Sequence, residues 1–150
     1  MRVFGLILTL VLAGSIAAVA NARGPAPGAA PANPRHGVLH VTKECSQFTG
    51  LADSFCTITF SNVPAIKVGS RVVYLQAAGS TSLDSDVVLV VGPGTYALGH
   101  VTLDLATGNG EITFSGGAGQ FAAFHAKADV SQLGGANVAW DGTFRFGSRH

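Results

Sequence analysis

The run from Gly99 to Phe146 constrains this chain more than any other stretch. It reads Gly-His-Val-Thr-Leu-Asp-Leu-Ala, Thr-Gly-Asn-Gly, Glu-Ile-Thr-Phe-Ser, Gly-Gly-Ala-Gly-Gln-Phe and Ala-Ala-Phe-His-Ala-Lys-Ala-Asp-Val. After a Gly-Gly loop it ends in Val-Ala-Trp-Asp-Gly-Thr-Phe-Arg-Phe. Successive strand side chains point to opposite faces, so short alternating runs separated by glycine turns describe an antiparallel meander. The first turn tests the register. With Gly108-Asn109 as a two-residue loop, Leu105 faces Ile112 and Leu103 faces Phe114; centring the loop on Asn109-Gly110 slides the pairing by two and keeps every residue on its face.

Upstream, Val38 to Lys43, Phe55 to Ser61 and Arg71 to Ala78 read as three further strands, with Gly79 to Leu83 as a polar loop. Val87 to Val91 is a continuous apolar run, which predicts burial on both faces, one against the interior and one against a neighbouring subunit or a covering segment. Strands near Ala97–Leu105, Glu111–Ser115, Phe121–Val130 and Val138–Phe146 complete a set of eight. Gln120 to Asp129 carries helix-friendly alanines. There Ala122, Phe124, Ala126, Ala128 and Val130 alternate strictly with Ala123, His125, Lys127 and Asp129, which favours strand. Eight short strands without a convincing helix predict a single antiparallel eight-stranded barrel, with a two-sheet sandwich as the alternative.

The amino terminus is organised differently. Arg2 precedes an apolar run from Val3 to Ala20 and a small-x-small site, Ala20-Asn21-Ala22, which is the pattern of a secretory signal peptide cut after Ala22. The rival is an uncleaved anchor, since the run is about the minimum that spans a bilayer; membrane contact is expected only through that leader. Residues 23–36 form a Pro/Ala/Gly-rich linker, and 37–147 the barrel domain. The chain is thus expected in a secreted, periplasmic or extracellular setting. Cys45 and Cys56, with ten residues between them, are the only cysteines and are expected to pair across the first turn. Their spacing fits no zinc or redox motif.

Charged residues make up 11% of the chain and the formal net charge is +1. Without a basic run the chain lacks what phosphate neutralisation requires, so nucleic acid is excluded as a partner. Sparse charge points instead to surface covered by another copy, a homo-oligomer.

Phe114-Ser-Gly-Gly-Ala-Gly-Gln-Phe121, Phe124-His125-Ala126 and Trp140-Asp-Gly-Thr-Phe-Arg-Phe146 together resemble the Gly-Gly-Thr-Gly-x-Phe turn and terminal aromatic strand of the allene oxide cyclase and dirigent barrels. The likeness is nearest to their secreted bacterial relatives, the allene oxide cyclase barrel-like proteins. It spans about Val38 to Phe146 and implies an eight-stranded barrel with an internal cavity, often oligomeric, whose plant relatives act on or orient small hydrophobic molecules. Ala118 stands where that turn has threonine. No catalytic position of the family is matched, so none is carried over.

The remaining motifs are weak. Gly117-x-Gly119-x-x-Ala122 fits a dinucleotide fingerprint in spacing only, because no helix N-terminus follows it. His36 and His40 lie about 13 Å apart on an extended strand, too far to share an ion. No metal or cofactor is expected. One polar row stands out: His100, Thr102 and Asp104; His125, Lys127 and Asp129; Asp141, Thr143 and Arg145. It is either a solvated outer face or a set of fixed polar groups in the lumen. The ligand-binding candidates drawn from it are His100, Asp104, His125, Lys127, Asp141 and Arg145, with His125 or Asp141 as the acid or base of any cyclisation. The expectation is an exported barrel that binds a small hydrophobic or phenolic ligand, or an envelope oligomer, without turnover. The alternatives are a cyclase or isomerase and a structural oligomer.

Overall fold

A computed structural model describes residues 34–148. The expected signal peptide and most of the linker lie outside the described residues. Eight strands follow in order: β1 (His36–Glu44), β2 (Phe55–Ser61), β3 (Arg71–Tyr74), β4 (Ser82–Gly92), β5 (Thr95–Asp104), β6 (Gly110–Ala118), β7 (Phe124–Gly134) and β8 (Asn137–Phe146). Each pairs antiparallel with its neighbours in sequence, and β1 closes on β8 from His36↔Arg145 to Glu44↔Asn137. The fold is a closed barrel, which leaves no sheet edge unpaired. The sandwich alternative is set aside.

Alternation sorts the side chains. Leu39, Val41, Cys56, Ile58, Val72, Leu83, Val87, Leu89, Val101 and Ile112 point inward and are buried, as do Phe124, Ala126, Ala128 and Val130 on β7. At one end the lumen is filled by aromatic rings: Phe124 lies 5.2 Å from Phe121, 4.9 Å from Phe146 and 5.8 Å from Phe114. Each such ring, fully buried, contributes up to about 3 kcal/mol. The β2–β3 loop covers this end with Val63, Ala65 and Ile66, and Gln120 Nε2 donates to the Ala65 carbonyl. The opposite end carries a larger pocket.

Several expectations are corrected. The β5–β6 connection is neither two-residue turn: Leu103 pairs with Gly110, Val101 with Ile112 and Gly99 with Phe114. The Asp104 carboxylate accepts from the amides of Ala106 and Thr107, and Gly108, at φ +71°, donates back to the Asp104 carbonyl, so a wider loop forms. Faces are preserved because the slip is an even number of residues. Gln120 to Val130 is not one strand: a single 3-10 turn, Gly119–Phe121, and the turn residues Ala122 and Ala123 precede β7, which begins at Phe124 and takes in Ala126 and Ala128. Val87 to Val91 is not buried on both faces. Val87 and Leu89 are inside, but Val90 is 40% exposed and Leu98 beside it on β5 is 44% exposed, because a barrel wall has one interior face. Strand β4 also begins earlier than expected, taking in Ser82 and Leu83, while β3 stops at Tyr74.

The disulfide is present, joining Cys45 just past β1 to Cys56 on β2.

Candidate functional site

The alternation that sends Leu39 and Val41 inward sends Lys43 with them. Lys43 is 1% exposed, the one charged residue among the buried core positions described. It sits beside a β-bulge, where the β1–β2 pairing passes from Thr42↔Phe60 to Lys43↔Ile58 and skips Thr59. Bulges of this kind re-aim strands next to functional side chains. Across β1–β8, Lys43 faces Val138.

Two aromatic side chains receive the lysine. Its Nζ donates a hydrogen bond to Tyr74 Oη, lies 4.8 Å from the centre of the Trp140 ring and 5.1 Å from that of Tyr74. No carboxylate pairs with it among the described residues, whose ion pairs all lie on the outer wall. Desolvated cation–π contacts are worth about 2 kcal/mol each, whereas removing an ammonium from water costs several. Desolvation therefore wins, and burial lowers the Lys43 pKa to about 7. Burial also pushes the Tyr74 phenol well up, so it keeps its proton throughout the neutral range. Phe48, from the disulfide-clipped β1–β2 loop, packs on Tyr74 with ring centres 4.7 Å apart. Trp140 Nε1 is buried without a hydrogen-bond partner.

A pocket of about 250 Å³ opens over this group at the end of the barrel away from Phe121 and Phe124. Lys43 and Tyr74 line it together with Phe48, Leu83, Leu103, Leu105 and Val138, and the disulfide flanks it. The arrangement is that of a small binding site: apolar walls and a few fixed polar groups that orient a ligand.

None of the six candidates drawn from the polar row faces this lumen. His100 bridges Asp84 (2.8 Å) and Asp86 (2.9 Å) on the outside of β4. Asp104 caps its turn, Lys127 pairs with Glu111 at 3.0 Å, and Asp141 pairs with His40 at 2.5 Å. His125, Lys127 and Arg145 line an outer groove of about 580 Å³ with His36, Val38 and Phe144. An acid or base at His125 or Asp141 would therefore work on the outer wall and not inside the barrel. The polar row is the water-facing side of strands whose other face is apolar. The residues that do meet inside, Lys43 and Tyr74, were open to detection: Lys43 shares parity with Leu39 and Val41, and Tyr74 shares it with Val72. A cation in an apolar strand row is the signal.

Comparison of the chain with family models, with curated proteins and with solved structures finds no match in any of the three.

Proposed function

We propose that this chain is an exported barrel that binds a small, largely apolar ligand carrying one polar group, such as a phenol, without turning it over. The observation that carries this reading is the pocket over Lys43 and Tyr74, an apolar cup with a donor pair at its floor. Its volume lies below the roughly 300 Å³ at which drug-sized sites begin, so the ligand is correspondingly small. The resemblance of Phe114–Phe121 and Trp140–Phe146 to the allene oxide cyclase and dirigent barrels supports the same reading, and the disulfide supports an oxidising compartment.

Two measurements test it. An amide NMR titration with 4-hydroxybenzyl alcohol is expected to give saturable shifts at Leu103, Leu105, Gln132 and Val138. Shifts confined to His125, Lys127 and Arg145 would move the site to the outer groove, and no saturable shift would remove the ligand reading. For export, amino-terminal sequencing of the secreted product is expected to begin at Arg23; a product retaining Met1 in the membrane fraction would refute it.

A second reading, self-association, is favoured by one observation. Val88 faces Leu98 and Val90 faces Tyr96 across β4–β5, so two exposed apolar side chains, Val90 and Leu98, stand beside two half-buried ones on the outer wall. Light scattering is expected to show an oligomer, and a monomer at micromolar concentration would sink this reading.

A further inference from the structure

We propose that Lys43 forms a reversible imine with the carbonyl carbon of a small aldehyde held in the mouth pocket. The inference rests on the reading that this pocket takes a ligand, and names the chemical class that its floor selects. An amine attacks a carbonyl only with a free lone pair, and the imine gains from shelter against hydrolysis and from a neighbouring group that passes protons. Lys43 has all three. It reaches the pocket from an apolar wall, has no carboxylate to hold it as an ammonium among the described residues, and touches a phenol. Its lowered pKa leaves a large share of the amine neutral at pH 7. Lys67 and Lys127, the other lysines of the chain, are both exposed.

The step balances without an external oxidant or reductant. The Nζ lone pair forms the C–N bond as the carbonyl π bond moves onto oxygen, and a proton passes from nitrogen to that oxygen to give a carbinolamine. The Tyr74 phenol donates a proton to the hydroxyl, which departs as water through the open mouth while C=N forms. Nitrogen then returns a proton to the phenolate.

The test uses the whole protein with 4-hydroxybenzaldehyde and, as its carbonyl-free counterpart, 4-hydroxybenzyl alcohol. With sodium cyanoborohydride at pH 7, peptide mapping is expected to find the reduced adduct on Lys43 at least about tenfold faster than on Lys67 or Lys127, since an ordinary lysine amine is almost wholly protonated there. The single tryptophan reports independently: the aldehyde is expected to change Trp140 fluorescence in a time-dependent phase that the alcohol lacks and that Lys43→Met abolishes. Tyr74→Phe is expected to slow that phase several-fold, and an unchanged rate would overturn proton delivery by the phenol. Saturable binding of both compounds with no preferential adduct on Lys43 overturns the imine and leaves the ligand reading standing. No binding of either overturns both.

Discussion

The Lys43 ammonium nitrogen stands 4.8 Å above the Trp140 ring, inside the barrel and without a carboxylate partner among the described residues. That relationship sets the pH dependence of stability. The unfolded lysine titrates near 10.5 and the folded one near 7, so between those values the unfolded chain binds more protons and stability rises with pH. The full rise is about 5 kcal/mol at most, and the penalty is complete below pH 7. Tyr74 acts oppositely: its raised pKa means that the folded state keeps a proton the unfolded state loses above pH 10, so stability turns down there. Urea midpoints from pH 6 to 11 are expected to climb to a maximum near pH 10. Lys43→Met is expected to flatten the climb and to be at least as stable as the parent at pH 6, because a buried charge is replaced by an apolar side chain of similar length. A flat parent curve would show that the amine is solvated.

The disulfide makes a second prediction. Cys45 and Cys56 close a short loop whose Phe48 covers Tyr74, so the bridge acts both on the unfolded chain and on the wall of the pocket. Replacing both cysteines with serine is expected to cost about 3 kcal/mol in urea unfolding on the loop-entropy model. It is also expected to weaken 4-hydroxybenzyl alcohol binding, read by the same NMR titration. Stability lost with affinity intact would mean that Phe48 holds its place without the bridge.

How much of this was legible in the sequence follows from what each signal measures. Alternation reports the wall of a barrel well: β2 lies at Phe55–Ser61 as expected, and the inward residues of β7 are the expected alternating set less its first member, Ala122, which is exposed ahead of the strand. It does not report how turns are closed. Asp104 captures two amides through its side chain, a contact outside the glycine pattern, and the β5–β6 pairing slips accordingly. Nor does apolarity say which face is covered, and so Val90 is exposed where two-sided burial was expected. The polar row was visible as a row and lies outside; the site was one cation, Lys43, set in an apolar row and easily passed over as the end of a weakly alternating strand.

Gly142 supplies the third prediction. It lies between Trp140 and Phe144 on β8, and a Cβ there would fall 2.0 Å from the Lys127 carbonyl oxygen and 2.6 Å from the Ala128 Cα. Both atoms belong to the β7 backbone and cannot swing away, so the two strands would have to separate. Gly142→Ala is expected to cost about 1–3 kcal/mol, the range for overpacking, measured by thermal or urea unfolding. Gly92→Ala serves as the control, since a Cβ there meets nothing within 4 Å and its backbone is not left-handed; it is expected to change stability by less than about 0.5 kcal/mol. Equal effects at the two sites would mean that the β7–β8 contact is looser than described.

The fourth prediction concerns the outer wall. His100 has its pKa raised above 6.5, first by the hydrogen bond that its ring donates to the Asp86 carboxylate and, against an opposing desolvation, by the charges of Asp84 and Asp86. A raised histidine pKa contributes stability that is fully present below the unfolded value and is lost as pH rises through the folded value. The sign is thus opposite to that of Lys43, but the ring is about half exposed and water screens it, so the effect on unfolding is expected to be small. Asp86→Asn is expected to lower the His100 pKa in a proton NMR titration, and Asp84→Asn to lower it less, with urea midpoints nearly unchanged in both. The two variants are also expected to leave the 4-hydroxybenzyl alcohol shifts at Leu103 and Val138 intact, because His100 points away from the lumen that these residues line. Loss of those shifts in either variant would put His100 back in contact with the ligand and would require the wall of β5 to be turned around.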